Sequence, residues 1–320
     1  MFANRLTEIL GTQYPLILGP MRRITLGSMA AAVSNSGAFG QVATGLLRPA
    51  DLRREIELAC SLTQLPFGVN IPLIRKEASE YLEIAIDLGV PVISTSAGRP
   101  GAIVEKAKRA GMKVLHKVSS VSQGLQAQAA GVDAVVAMGY EAGGHVGREK
   151  TTTFCLVPQL VDALRIPVVA AGGLGDGRGF LAALALGAEG VEMGTRFLAT
   201  RQCPIPAYYK QALLAAPDDG TFLLGKKAMP VRVLRNDKSL RIQNPNHDQE
   251  DAGVREQNDT LDYIDPKSDA DKTLMMAGQI AGLLHEINEL PEVVQSVMNQ
   301  AAERARSLAA YFRPSRPASL

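Results

Sequence analysis

With 34 basic and 32 acidic residues, the 320-residue chain carries a net charge of only +2 at pH 7. It therefore has no electrostatic means of gathering a nucleic acid or a membrane surface. Cysteine is scarce. Cys60, Cys155 and Cys203 are odd in number, far apart and part of no redox or metal motif, which points to reduced thiols in a cytoplasmic protein. No run of about twenty apolar residues is present to span a bilayer. Arg5 and Glu8, ahead of only a short apolar run, are unlike a signal peptide. His, Cys, Asp and Glu nowhere cluster at metal-ligand spacing, so no metal is expected. Neither a Ser-His-Asp arrangement nor a Gly-x-Ser-x-Gly elbow occurs. These absences leave a soluble, cytoplasmic protein whose partner is a small-molecule substrate. Its 46% hydrophobic and 21% charged content is ordinary for a globular chain, and its length suits one large α/β domain with a smaller addition.

The organising stretch is Ile166-Pro167-Val168-Val169-Ala170-Ala171-Gly172-Gly173, followed by Asp176-Gly177-Arg178-Gly179. A β-branched apolar run stops on two glycines and an Ala/Leu-rich segment follows, which reads as strand, tight turn and helix. The pattern recurs at Gly190-Val191-Glu192-Met193-Gly194-Thr195-Arg196. Six further short apolar strands lie upstream, over residues 15–18, 39–43, 67–69, 90–93, 113–115 and 134–137, with helices between them. Eight strands alternating with helices predict a parallel (β/α)8 TIM barrel. An open doubly wound sheet would carry its glycine-rich turn after the first strand, whereas here the richest turns follow the last two. The regular alternation ends after Arg201. Residues 1–203 are expected to form the barrel and 204–271 a small, mostly helical domain over its mouth. Residues 272–320 are expected to form C-terminal helices packed back on the barrel, with Ala277, Gly278, Ala281 and Gly282 suited to close helix packing. The polar stretch 244–272, with Val254, Leu261, Tyr263 and Ile264 as its few apolar anchors, reads as a mobile lid or as partly disordered.

Residues at the C-terminal ends of barrel strands face the mouth. That set comprises Met21, Thr44, Asn70, Ser96, Lys117, the 139–147 loop, Gly172 with Gly173, and Gly194 with Thr195. It offers binding groups, one cation and one imidazole, which suits a cofactor that carries the chemistry itself. In Gly139-Tyr140-Glu141-Ala142-Gly143-Gly144-His145-Val146-Gly147, glycines surround a histidine that suits proton transfer near neutral pH. A hydrogen-bonded loop histidine is the competing reading. Lys117, directly after a buried strand, is placed to face a negative centre such as the N1–C2 region of a reduced flavin, and a solvated surface lysine is its alternative. Asn70 has the donor and acceptor that match the edge of a flavin ring, or it is a turn residue before Pro72. His116 alternates with Lys117 and should face the helical layer. His247 and His285 are read as structural or surface residues, and Arg22 and Arg23 reach either the mouth or the surface.

These pieces together resemble the nitronate monooxygenase (2-nitropropane dioxygenase) family of FMN-dependent barrel proteins, which includes flavin-dependent enoyl-acyl-carrier-protein reductases and NADH:quinone reductases. The resemblance is carried by Pro20-Met21, Pro66-Phe67-Gly68-Val69-Asn70, Glu141-Ala142-Gly143-Gly144-His145, Ala171-Gly172-Gly173 and Met193-Gly194-Thr195-Arg196-Phe197. Met276-Ala277-Gly278-Gln279-Ile280-Ala281-Gly282 matches as well. It implies FMN with its phosphate on Gly172, Gly173, Gly194 and Thr195, and its ring near Met21, Asn70 and Lys117. Pro20, Ala142 and Gly143 complete the cofactor set, His145 is implied as the catalytic histidine beside the reactive face, and Lys117 is the second catalytic residue. The chain departs from the family pattern at Met138, where Gln or Glu is common, and at the Gly19-Pro20-Met21-Arg22-Arg23 turn. Its 244–272 stretch is also poor in apolar residues.

The resemblance implies oxidation of alkyl nitronates by FMN and oxygen. The alternative is an NAD(P)H-dependent reductase of an enoyl thioester or quinone, which the Met-Ala-Gly-Gln-Ile-Ala-Gly segment favours within the family. A non-catalytic flavin- or phospholigand-binding protein and a phosphosugar isomerase on the same barrel are further readings. The Ala/Gly-rich C-terminal region suits a homodimer as readily as packing on its own barrel.

Overall fold

Short apolar runs ending on glycine or a small polar residue become barrel strands because each can bury both faces at once. The computed structural model describes residues 2–225, 229–243, 249–254 and 262–312. The barrel strands are β1 (Leu16–Leu18), β2 (Gly40–Ala43), β3 (Phe67–Pro72), β4 (Val92–Ser96), β5 (Lys113–Val118) and β6 (Ala134–Met138). After the two-residue β7 (Gly144–His145) come β8 (Val168–Ala171) and β9 (Gly190–Met193). All barrel pairings are parallel, in the order β1-β9-β8-β6-β5-β4-β3-β2, and a bridge between Ile17 and Phe39 joins the two ends. Outside lie α2 (Gly27–Asn35), α3 (Pro49–Leu62), α4 (Ala78–Asp87), α5 (Ala102–Arg109) and α6 (Val121–Ala129). They are followed by α7 (Thr153–Ala163), α8 (Gly177–Ala185) and the single turn α9 (Thr195–Leu198). The fold is the expected TIM barrel.

Sequence reading assigns no element to the first dozen residues, yet α1 (Arg5–Leu10) forms there. Six residues are too few for a helix to persist alone. Asn4 and Thr7 form a reciprocal capping box, and Gly11 closes the helix in the left-handed conformation at φ 67°. Leu6 and Leu10 insert among Ile17, Phe39, Val92, Leu115, Val136 and Val169, closing the barrel at the end where the strands start. Full burial of each leucine stabilises by about 1.5–3 kcal/mol, so packing rather than propensity holds this helix. The other end, where strands finish, stays polar.

Beyond β9 the chain forms α10 (Ala207–Leu214), β10 (Thr221–Leu224), β11 (Val231–Leu234) and α11 (Asp237–Ile242). The accessory segment was expected to be mostly helical, but it also contains a three-stranded antiparallel sheet, β10-β11-β7. Its third strand comes from the loop after β6: Val231 pairs with His145 and Arg232 with Gly144. The described residues of the polar 244–272 stretch are anchored. Val254 is buried with Leu224, Val231, Val233 and Leu274, Tyr263 is buried, and the Glu250 carboxylate accepts from Gly225 N–H at 2.8 Å. Leu261 and His247 lie outside the described residues.

The 274–284 segment differs from its expectation. Instead of a helix, Met276 bridges to Val233 and Gln279–Leu283 forms a 3-10 turn. Ala277 and Gly278 serve backbone contact with the 139–147 loop, and Gly282 lies against the Pro217–Asp218 backbone. The last helix, Leu290–Ala309, buries Leu290, Val293, Val294, Val297, Met298 and Ala301. It lies so close to the start of α8 that a Cβ on Gly177 would stand 2.6 Å from the Val297 carbonyl oxygen. Among the described residues, no helix is long and apolar enough to cross a membrane.

Candidate functional site

Strand alternation decides what the barrel mouth presents. In each of five strands an inward-facing position near the strand start is apolar or glycine (Phe39, Gly68, Val92, Leu115, Gly190), and the residue two further on is polar: Gln41, Asn70, Ser94, Lys117 and Glu192. These five form one connected layer across the upper barrel. Lys117 Nζ is ion-paired with a Glu192 carboxylate oxygen, with side-chain exposures of 12% and 5%. The other Glu192 oxygen lies 3.4 Å from Gln41 Nε2, which donates to the Leu18 carbonyl at 2.7 Å. Ser94 Oγ donates to Gln41 Oε1 at 2.5 Å and accepts from Asn70 Nδ2 at 2.9 Å. Asn70 and Lys117 are therefore brought into one network, as mouth residues. Sequence reading missed Gln41, Ser94 and Glu192, although the period of two from Phe39, Val92 and Gly190 marks them. Lys117 does face a negative centre, and in the protein itself that centre is Glu192.

The 139–147 loop is fixed by backbone contacts. Gly139 N–H donates to Ala171 O at 2.9 Å. The Glu141 carboxylate accepts from Thr153 N–H at 2.9 Å and from its hydroxyl at 3.1 Å, holding the first turn of α7. That contact fixes the start of α7 at Thr153. A Cβ on Gly143 would stand 2.5 Å from Gly278 N, so the Ala277–Gly278 backbone rests directly on this glycine. Glu141 O also accepts from Gln279 N–H at 3.0 Å. Buried Arg232 donates to the Tyr140 carbonyl at 2.9 Å and lies over the Tyr140 ring at 5.3 Å.

His145 thus sits on a short strand clamped between loop and accessory sheet. Its side chain is exposed, yet the surrounding protein desolvates it enough to pull its pKa down to about 4, and the Arg22 charge adds to the drop. The imidazole is neutral at neutral pH. Arg22 follows β1. Its carbonyl accepts from the Tyr263 hydroxyl at 2.8 Å, and its guanidinium lies 5.9 Å from the Tyr263 ring centroid. Of the two arginines in this turn, Arg22 is therefore the one electrostatically coupled to the mouth histidine. His116 faces the helical layer as expected. It shares a 2.7 Å hydrogen bond with Thr95, and burial lowers its pKa to about 4. His285 is exposed.

The expected phosphate set splits in two. Gly172 and Gly173 have φ of 91° and 73°, and a Cβ on Gly172 would stand 2.9 Å from Ala142 N. Their glycine identity is accounted for by the turn and by Ala142 and Glu141 packed against them. Gly194 is different. Its φ of −105° suits any residue, and the nearest atom to an added Cβ is Met21 Sδ at 3.7 Å. No described residue requires glycine there, so the open side of Gly194, beside Met21, fits a group that approaches the backbone closely. Thr195 Oγ accepts from Gly278 N–H at 2.9 Å, tying the end of β9 to the 276–278 segment. No cluster of metal-ligating side chains occurs among the described residues.

A family model described as "Nitronate monooxygenase" matches residues 3–300. A probable nitronate monooxygenase of Staphylococcus saprophyticus is 30% identical, over 94% of this chain and 98% of its own. The solved structure of FabK from Thermotoga maritima superposes with a TM-score of 0.93 at 35% identity, covering 98% of this chain and 100% of that one. A nitroalkane oxidase from Streptomyces ansochromogenes superposes with a TM-score of 0.86 at 28% identity, covering 95% and 100%.

Proposed function

The chain belongs to the nitronate monooxygenase family of oxidoreductases, and on that premise we propose that it is an FMN-dependent enzyme oxidising alkyl nitronates with dioxygen. Two nitronate anions and one O2 balance to two carbonyl compounds and two nitrite ions. The observation that carries the reading is the pairing of a neutral imidazole at His145 with the positive charge of Arg22 at the mouth. A nitronate is already an anion and needs orientation rather than deprotonation. An imidazole with a pKa of about 4 is a weak base and a good hydrogen-bond partner.

The residues present fit the cofactor. Gly194 leaves backbone open beside Met21 at the ends of β1 and β9, where the FMN phosphate is assigned together with Thr195, Gly172 and Gly173, and Pro20 and Met21 are assigned to the cofactor beside it. Asn70 and Lys117, in the polar layer, are assigned to the ring edge, and Ala142 and Gly143 to the loop beside it. When bound, FMN supplies electron acceptance from the nitronate and delivery to oxygen. The chain's own groups do the rest. His145 orients the substrate oxygens, Arg22 offsets their charge, and Lys117, in its ion pair with Glu192, turns its ammonium to the flavin side. Residues 204–271 are read as the substrate-facing segment, because β11 holds the His145 strand and Tyr263 holds Arg22.

The test is an anaerobic titration of the purified protein. Bleaching of a bound flavin by ethyl nitronate, without nicotinamide, supports the reading. Bleaching by NADH or NADPH but not by nitronate replaces it with a reductase of an enoyl thioester or quinone. A preparation that binds no flavin overturns it.

A further inference from the structure

We propose that Glu192 is a positioning residue which, by pairing with Lys117, withholds the lysine's net positive charge from the flavin and so sets how readily that flavin is reduced. The inference rests on the reading above, that FMN lies over the polar layer of the barrel.

Three observations support it. Lys117 and Glu192 occupy inward positions of β5 and β9, and their side chains are in direct contact deep in the mouth. Their attraction is screened little at such burial. Glu192 is also held in place: its second oxygen lies near Gln41, Gln41 is bonded to Leu18 O and Ser94, and Ser94 is bonded to Asn70. The carboxylate is therefore kept beside the ammonium by a chain that ends on the residue assigned to the ring edge. Finally, backbone pairing fixes the reach of both side chains. Glu192 is in register with Ile17 on one side and Ala171 on the other, and Lys117 with Val136.

A paired lysine and glutamate present a dipole rather than a charge. Removing the carboxylate leaves one cation near the ring, which favours the reduced, more negative flavin. Removing the ammonium leaves one anion, which disfavours it. Removing both restores the balance. A merely structural ion pair would affect stability and leave the redox equilibrium alone.

The experiment measures the midpoint potential of the bound flavin by equilibration with a reference dye. It compares the wild-type holoenzyme with Glu192→Gln, Lys117→Met and the double variant, each checked for folding by its thermal midpoint. Glu192→Gln is expected to shift the reduced-to-oxidised ratio at least about tenfold toward reduced, about 30 mV for a two-electron couple. Lys117→Met should shift it in the opposite direction, and the double variant should return close to wild type. Flavin-loaded single variants that keep the wild-type potential overturn the inference while leaving the FMN reading intact. If Glu192→Gln does not fold, Lys117→Met decides alone, because a potential that fails to fall removes the charge balance. A wild-type protein without flavin overturns both the inference and the reading beneath it.

Discussion

At the scale of single residues, the unusual group is an imidazole that faces the mouth and yet stays neutral. Desolvation by the surrounding protein is the larger cause of the His145 pKa of about 4 and the Arg22 charge the smaller. Arg22→Met should therefore raise that pKa partway toward the ordinary value of about 6.5, read from the imidazole NMR titration. The same variant should weaken the apparent affinity for a nitronate anion. His145→Ala is expected to keep its flavin and lose on the order of 10²-fold or more in nitronate turnover. An equal loss of flavin would instead make His145 a cofactor-holding residue. The pH profile follows from the sign of the shift. With His145 neutral above about pH 4, its protonation leaves no inflection near 6.5, and turnover falls only as pH drops toward 4. Sequence reasoning located this histidine from the surrounding glycines, but it assigned a neutral-range titration. Protein mass contributed by β11 and Arg22, distant in the chain, is invisible to a local motif.

At the scale of elements, the Glu141–Gly147 run works because three segments meet on it. Glu141 holds the first turn of α7, Gly143 carries the Ala277–Gly278 backbone, and His145 adds a strand to the accessory sheet. Glu141→Ala should cost about 1 kcal/mol through the lost cap, whereas Gly143→Ala should cost about 1–3 kcal/mol, since backbone rather than a flexible side chain must move. Both are read from denaturant midpoints. Gly143→Ala should also disturb His145, because the same displacement reaches β7. The glycines themselves were legible, but the reason for each was not. Gly172 and Gly173 read as phosphate turns, and in the folded chain they meet Ala142 and Glu141. Of these three glycines, Gly194 is the one with open space and no conformational need for glycine. Distinguishing these cases takes the position of segments distant in sequence, Glu141–Ala142 for the first two and Met21 for the third, which no spacing rule contains. The three-stranded sheet was missed for the same reason: two residues at Gly144–His145 have no periodicity, and β11 makes them a strand.

At the scale of the whole molecule, the barrel was readable because each βα unit repeats the same local signals, an apolar run, a small residue and a helix stop, so errors at individual boundaries do not accumulate. The interior was less readable, since the polar layer emerges only when alternation is followed in five strands at once. Burial of histidine also has a global consequence. His116, 3% exposed and hydrogen-bonded to Thr95, has its pKa lowered to about 4 by desolvation. In the unfolded chain it titrates near 6.5. Between those values the unfolded state binds a proton that the folded state refuses, so stability falls as pH falls. The loss begins below about pH 6.5 and from His116 alone reaches about 3 kcal/mol by pH 4, with His145 contributing in the same direction. Asp51, whose carboxyl the Arg48 hydrogen bond holds at about 2, adds its own loss only below the ordinary 3.8. The window from pH 6.5 to about 4.5 therefore isolates the histidines. Thermal midpoints measured across it should decline in the wild-type protein and decline less steeply in His116→Gln, whose side chain retains a hydrogen-bonding group for Thr95 but does not titrate. An identical slope in the two proteins would mean that His116 takes up its proton in the folded state and that the helical layer around Thr95 opens before the barrel does.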